Sequence, residues 1–442
     1  MNVLFSVRHR GAAGTASRAG MILSRFGPTP ARMVRSLEQY VAVTDKFGVS
    51  PTLPITARVL ARHARTIRSF VDRGVEFAVH GLVHDDHAVR GFEDQRETIR
   101  VAMAIFDAEA VPHSGFRAPY LRYNTATERA LRQLRVSYHS SQAIAFPVVT
   151  TDHTNGRSAA YRRVLELYGA LDAERAVARP RIVDDLVHIP VVLPDDESLI
   201  ERLGLDAEAR TEIWTAILHL THQRADLFTV QLHPERLFEF ADTLEHVLGE
   251  ARRLQPAVWI ARLDEIAAWW RRRAHSMLRV ETIGAERHRV SLDADSDATL
   301  LVRGVAPGDA TSWDGRTLVA RSRVFEVAGS RKPAVGVSLR TPEAVITFLQ
   351  EEGLPCERSN ERDSYGAYVD LSDEWDERRV LAAIDECAGP LVRLSRWPRA
   401  ARSALAVTGD IDSVTLQDFV WRVWETRGPK DRRGESGSHD GV

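Results

Sequence analysis

The sequence predicts an α/β protein whose main part is a barrel of parallel strands joined by helices. Over residues 1–275, short apolar runs alternate with longer segments of helical period, as expected for strands connected by helices. Eight such runs suffice for a barrel, and polar motifs follow three of them. The predicted strands are residues 2–7, 50–55, 76–80, 115–117, 137–140, 186–192, 228–232 and 258–260.

The segments between these strands have the periodicity of amphipathic helices. The clearest predicted helices are residues 32–46, 56–72 and 94–108. The last of these opens with acidic residues, which suit the positive amino end of a helix.

The pattern of apolar and polar residues changes after residue 275. Residues 276–334 alternate apolar and polar positions between Gly and Asp turn signals, and predict a small β-rich module. Residues 335–400 predict a small α/β module with helices near 342–352 and 377–387. Residues 401–425 predict one more strand and helix, and residues 426–442 a disordered tail, because they mix charge, Gly and Ser without periodicity.

Composition narrows the class of protein. The 442 residues exceed one ordinary domain, and the balance of 44% hydrophobic and 27% charged residues is typical of a globular protein. A net charge of −2 gives no basis for binding nucleic acid, and no apolar run is long enough to span a membrane. The amino terminus lacks the pattern of a signal peptide, which predicts a cytoplasmic protein. The oligomeric state is left open.

A histidine pair follows the predicted strand at 76–80. His80 and His84 are separated by three residues, and two imidazoles at the end of a strand can converge on one cation. Neutral imidazole suits zinc or another first-row metal, with a carboxylate completing the site. Alone the pair is weak evidence, because histidines in loops are common. We expect His9, His87, His113, His139 and His188 to be ordinary histidines, and Asp85 and Asp86 to be capping or solvent-facing residues.

Two further motifs follow two other predicted strands. Arg117, Pro119 and Tyr120 lie at the end of the strand predicted at 115–117, and His233 follows the strand at 228–232 within Leu-His-Pro. Active sites of β/α barrels are built from the carboxyl ends of several strands, so three motifs at three strand ends predict one site.

Taken in order, these motifs resemble those of the polysaccharide deacetylases, carbohydrate esterase family 4, which carry an acidic pair, H[ST]xxH, RxPY and LHP. The resemblance implies an incomplete or distorted (β/α) barrel over about the first 275 residues. It also implies metal-dependent removal of N-acetyl groups from an amino sugar or polysaccharide, a carbohydrate substrate, and a divalent metal, with zinc expected.

The resemblance also implies roles for residues of this chain. His80 and His84 match the metal-binding histidines, although Gly81 stands where Ser or Thr is usual. Arg117 matches the arginine that orients the catalytic carboxylate, and Tyr120 the tyrosine whose backbone donates to the oxyanion. His233 matches the general acid.

The acidic pair of the family is not in its usual place. Residues 6–10, at the end of the first predicted strand, include Arg8 and His9 but no carboxylate. Residues 403–412 instead form an apolar strand pattern that ends in Asp410 and Asp412, whose spacing points both to one side. Residues 408–412 are similar to a TGDID form of the acidic motif. We therefore predict that this segment returns to the barrel, as in a circular permutation.

In this hypothesis Asp412 is the metal ligand and Asp410 the base, although the two roles could be exchanged. The structural alternative is a turn in which Asp caps the helix predicted near residues 416–424. Two other functions remain open: hydrolysis of another non-peptide C–N bond in a small metabolite, and a catalytically inactive glycan-binding protein. The absence of carboxylates at the first strand motivates the last of these.

Overall fold

The computed structural model describes residues 25–154, 156–372 and 374–426. The predicted strand at 2–7, with Arg8 and His9, and the chain from residue 427 onward lie outside the described residues. No described helix is both long and apolar enough to cross a membrane. The chain divides into two compact units. The first is Met1–Ser141, Gln231–Glu245 and Val407–Val442, and the second is Gln142–Val230 and His246–Ala406.

The first unit is built around parallel strands. Their order is Ser403–Thr408, of which the last two residues belong to this unit, then Thr52–Ile55, Glu76–Val79, Gly115–Phe116 and Tyr138–His139. Every residue of Thr52–Ile55 and Glu76–Val79 is buried. In each strand three apolar residues follow one polar residue, so neither strand alternates, as expected where both faces are covered. The parallel pairing confirms the predicted α/β class and an incomplete β/α barrel.

Helices connect these strands, as the sequence predicted. They are Ala31–Asp45, Ala57–Val71, Phe92–Ala108 and Thr125–Gln133, with Leu237–Arg253 beginning in this unit and Leu416–Glu425 following the last strand. The predicted helix at 94–108 begins two residues earlier, because Gly91 at its N-cap leaves Phe92 as the first helical residue.

The second unit contains several small sheets. One is parallel and joins Ala143–Ala145 to Leu171–Asp172 and Val191–Leu193. The prediction of a single strand over residues 186–192 is wrong. Leu186–His188 pairs antiparallel with Arg181–Val183, and Val191–Leu193 belongs to the parallel sheet. Pro190 lies between them and has no N–H to donate to a ladder, so the strand is interrupted there.

The remainder of the second unit is β-rich with short helices. Antiparallel sheets are formed by Met277–Gly284, Arg287–Asp293 and Val324–Ala328, and by Leu300–Arg303, Thr311–Ser312, Leu318–Ala320 and Leu391–Leu394. Lys332–Val337 pairs in parallel with Cys356–Arg358 and Tyr365–Val369. The main helices are Ser158–Leu167, Ala207–Gln223, Leu263–Ala274, Glu343–Glu351 and Glu377–Glu386. A single sheet thus joins strands from both sides of the predicted boundary at residue 334.

Candidate metal centre

The carboxyl-terminal strand carries the acidic motif to the edge where the other strands end. Extended backbone continues past Ser403–Thr408, and the N–H of Ile411 donates to the carbonyl oxygen of Pro54 at 2.7 Å. Ile411 is fully buried. Because side chains alternate along extended backbone, Asp410 and Asp412 both point away from the side that Ile411 occupies.

Gly409 allows this segment to pass very close to Leu232, the residue that follows the strand Leu227–Gln231. A Cβ atom at Gly409 would lie 1.7 Å from the carbonyl oxygen of Leu232, far inside any tolerated contact. The hydroxyl of Tyr40 lies near both chains, 3.3 Å from that oxygen and 3.2 Å from the carbonyl oxygen of Thr408. The glycine in Thr-Gly-Asp is therefore required by this close approach.

His80 is fully buried at the end of Glu76–Val79, and its tautomer follows from one contact. Its Nδ1 lies 2.9 Å from the carbonyl oxygen of Arg117, which can only accept a hydrogen bond. Nδ1 therefore carries the proton, and Nε2 presents a lone pair. This lone pair lies 3.4 Å from Oδ1 of Asp412 and 3.7 Å from Oδ2 of Asp410.

His84 reaches the same carboxylate from the following turn. Its Nε2 lies 3.3 Å from Oδ2 of Asp412, and the ring is almost fully buried. Burial lowers the pKa of His84 well below its ordinary value, despite the opposing charge of Asp412. The imidazole is therefore neutral at physiological pH, which is the form that binds a metal.

The donor atoms of His80, His84 and Asp412 fit a divalent cation. One ligand atom from each residue lies within 4.8 Å of the other two. Nε2 of His80 and Oδ1 of Asp412 are buried and have no hydrogen-bond partner among the described residues. Buried polar atoms are normally paired, so these two atoms, together with Nε2 of His84, offer two nitrogens and an oxygen that suit a divalent cation.

Asp412 is held as a carboxylate. Burial alone would raise its pKa, but the interactions with His84 and with the guanidinium of Arg422 lower the pKa of Asp412 well below its ordinary value. Arg422 donates through Nη1 to Oδ2 of Asp412 at 2.5 Å. The sequence analysis did not single out Arg422, since a lone arginine on an amphipathic helix is no signal of a site.

Arg117 is fully buried and forms a hydrogen-bonded ion pair with Asp410. Its Nη1 donates to Oδ1 of Asp410 at 3.1 Å and to Oγ1 of Thr408 at 2.9 Å, and it also contacts Oε1 of Gln231. Its Nε and Nη2 donate to the carbonyl and hydroxyl oxygens of Ser140 at 2.9 and 3.0 Å. The planar guanidinium is thus fixed on several sides, and Asp410 beside it is oriented by a permanent positive charge.

Tyr120 and His233 line the same edge of the first unit. Tyr120 has a left-handed backbone with φ of 58°, which costs energy for a residue with a side chain and is often found at active sites. Its ring packs edge-on against His84, with 4.3 Å between centroids. His233 is half-buried and directly precedes the turn Pro234–Arg236. In that turn, burial raises the pKa of Glu235.

Two of the residues expected to be ordinary, His87 and Asp86, have structural partners. Nδ1 of His87 lies 3.1 Å from Oε1 of Gln95, so this buried histidine has a conventional hydrogen bond. Oδ1 of Asp86 accepts from the N–H of Ala88 at 3.0 Å. Asp86 therefore caps the short turn His87–Val89 and not the helix near residue 94.

The helix Leu416–Glu425 is anchored through Asp418. Its carboxylate lies 2.7 Å from Nε2 of His63 and accepts from Arg62 at 3.1 Å. It also forms a capping box with Thr415, in which each residue bonds the backbone of the other. This anchor joins the helix that follows the acidic motif to the helix Ala57–Val71.

Replacing Asp418 by Asn should therefore reduce stability in a pH-dependent manner. Burial alone would raise the pKa of Asp418, but the hydrogen bond and charge of His63, together with Thr415, lower it to about 2. This folded pKa lies below the unfolded value of about 4, so the contribution is complete above pH 4 and is lost as pH falls toward 2. We expect Asp418→Asn to cost about 1–2 kcal/mol at pH 7, measured by urea unfolding.

The same measurement at pH 3 should give a smaller difference between Asp418→Asn and the wild-type chain. Asp94→Asn serves as the control, because Asp94 is exposed and pairs with Arg90, which precedes the helix. It should change stability by less than about 0.5 kcal/mol at either pH. A cost for Asp418→Asn that is the same at pH 3 and pH 7 would contradict this account.

Comparison with known families supports the resemblance over part of the chain. The family model Polysaccharide deacetylase matches residues 26–139, a quarter of the sequence. This region is therefore polysaccharide deacetylase-like, as its motifs predicted, and it contains His80, His84, Arg117 and Tyr120. His233 and the two aspartates lie outside it. No curated protein matches the chain in sequence.

Three solved structures are similar in part. A protein from Mycobacterium smegmatis named as a polysaccharide deacetylase is 19% identical, with a TM-score of 0.42, over 60% of this chain and 82% of that one. A second, from Pseudomonas aeruginosa PAO1, is 17% identical with a TM-score of 0.42, over 54% and 73%. PuuE allantoinase is 15% identical with a TM-score of 0.41, over 53% and 72%.

Proposed function

We propose that this chain is a divalent-metal-dependent hydrolase that removes N-acetyl groups from an amino sugar or a polysaccharide, with zinc as the metal. One observation carries the proposal: the imidazoles of His80 and His84 and the carboxylate of Asp412, from opposite ends of the chain, present converging donor atoms. The polysaccharide deacetylase-like region that contains both histidines supports the choice of an N-acetylated carbohydrate as substrate.

An amide carbonyl is a poor electrophile, so its hydrolysis needs several groups at once. A divalent cation held by His80, His84 and Asp412 would polarise the carbonyl and lower the pKa of the attacking water. Asp410, oriented by Arg117, accepts the proton of that water.

Two further groups act on the oxygen and nitrogen of the substrate amide. His233, in its protonated form, donates a proton to the leaving amine, so that the C–N bond can break without release of an amide anion. The backbone N–H near Tyr120 donates to the developing oxyanion. The left-handed backbone at Tyr120 supports this role, because it holds the local N–H groups in an orientation that a relaxed chain does not adopt.

Replacing both His80 and His84 by Ala should abolish metal binding and activity together. The variant loses two of three ligands, so we expect bound metal to fall from about one per chain to background and acetate release to fall with it. Metal content is measured by atomic emission, and acetate release with a panel of N-acetyl amino sugars and their oligomers.

His219→Ala provides the matched control, because His219 is a half-exposed histidine of the second unit. It should keep both metal and activity. A His80/His84 double variant with full activity would show that the mechanism is wrong. A wild-type chain that binds metal and opens a ring amide, but releases no acetate, would favour the other C–N bond hydrolase. A wild-type chain without metal would favour the glycan-binding protein.

A further inference from the structure

Each of the two site carboxylates is paired with its own arginine. Asp410 accepts from Arg117, and Asp412 accepts from Arg422, which lies on the helix Leu416–Glu425. Arginine is charged at every physiological pH. The two positive charges therefore balance the two negative charges of Asp410 and Asp412 before any cation is bound.

The two oxygens of Asp412 differ in their surroundings. Oδ2 accepts the hydrogen bond from Arg422, whereas Oδ1, the oxygen 3.4 Å from Nε2 of His80, has no hydrogen-bond partner among the described residues. The guanidinium of Arg422 also packs over the ring of Phe419 at 5.2 Å, one turn earlier on the same helix. Arg422 is therefore held in place by its helix as well as by the carboxylate.

We propose that Arg422 is a positioning residue of the metal site, which restricts Asp412 to binding a cation through Oδ1 and makes cation binding weaker than the three ligands alone would give. This inference rests on the proposed function, because it assigns a ligand role to Asp412. If the two arginines balance the two carboxylates, the site with a bound divalent cation carries net positive charge. Such a site favours the anionic species of amide hydrolysis: hydroxide, the oxyanion and the acetate product.

Two physical effects act in the same direction when the guanidinium is removed. Oδ2 of Asp412 becomes free, so that the carboxylate can offer both oxygens to the cation. The positive charge of the guanidinium is also lost. In a partly buried site this charge would repel a cation bound to the same carboxylate strongly, because the two like charges lie close together. Neutralising Arg422 should therefore strengthen the binding of a divalent cation.

Three variants of the full-length chain separate charge from structure. Arg422→Gln keeps a hydrogen-bond donor without charge, and Arg422→Lys keeps a charged donor for the single bond to Asp412. Arg62→Gln is the matched control, because Arg62 pairs with Asp418 and Glu425 of the same helix but touches no ligand. Each protein is stripped with a chelator and titrated with Zn²⁺ against a chromophoric competitor, and with Co²⁺ while the visible absorption of the site is recorded.

We expect Arg422→Gln to bind Zn²⁺ at least about 10-fold more tightly than the wild-type chain, and Arg422→Lys to remain within about 3-fold of it. Arg62→Gln should match the wild type, and the Co²⁺ spectrum should change only in Arg422→Gln. Unchanged or weaker binding by Arg422→Gln would overturn the inference. Equal effects of Arg422→Gln and Arg62→Gln would also overturn it, because the cause would be helix position. A wild-type chain that binds neither metal would instead refute the proposed function itself.

Discussion

Asp410→Asn should leave the metal bound and reduce deacetylation by about 10²–10⁴-fold, the usual contribution of a general base. The amide has the shape of the carboxylate but cannot accept the proton of water. Asp412→Asn should instead weaken metal binding by at least about 100-fold, because a neutral amide replaces a charged ligand. Metal affinity and kcat, measured on the same preparations, separate the two roles.

The sequence left these roles interchangeable, and the contacts now favour one assignment. Asp412 lies beside both imidazole Nε2 atoms, at 3.4 and 3.3 Å, whereas Asp410 is 3.7 Å from His80 and bonded to Arg117. If Asp410→Asn lost the metal and Asp412→Asn kept it, the assignment would have to be reversed. Asp94→Asn, at an exposed residue that pairs with Arg90, should change neither quantity.

Arg117→Met should be among the most destabilising single changes in the first unit. Arg117 is fully buried, and its removal leaves the carboxylate of Asp410 and the oxygens of Ser140 without their donor. Breaking a buried ion pair from one side costs about 3–5 kcal/mol, because the remaining charge is uncompensated. We expect a loss of this size in the free energy of unfolding, measured by chemical denaturation.

The double variant Arg117→Met/Asp410→Asn tests the cause of that loss. Removing the stranded charge should recover part of the stability, so the double variant should be more stable than Arg117→Met alone. Arg96→Met is the control, since Arg96 forms an exposed pair with Glu93 and should cost less than about 1 kcal/mol. If Asp410→Asn destabilised the Arg117→Met chain further, the effect would come from lost packing and not from the buried charge.

Much of the first unit was predictable, because its signals are local. The buried strands Thr52–Ile55 and Glu76–Val79 are mostly apolar, and the helix Ala57–Val71 between them has an amphipathic period. His80 and Arg117 follow strands directly, so parallel topology alone places them on one edge. The interruption at Pro190 was not predicted, because most residues on both sides of this proline are apolar, as in one continuous strand.

The carboxyl-terminal motif shows what local sequence patterns cannot predict, namely which strands pair with each other. The apolar run and its paired aspartates predicted a strand with two acids on one side, but no local rule states which strand it pairs with. Thr408 pairs with Thr52, although 356 positions separate them in the sequence. The roles of Asp410 and Asp412 remain predictions that the variants above are designed to test.

By itself, the sequence determined the α/β class, the strands at Thr52–Ile55 and Glu76–Val79, and the identity of the candidate ligands. These depend on periodicity and on residues that adjoin one strand. Only the tertiary structure decided that Gly409 must lack a side chain, that His80 presents Nε2, and that Asp412 lies beside the imidazoles of His80 and His84. Each of these depends on a distance between atoms far apart in the chain, and such distances arise only when the strands and helices pack.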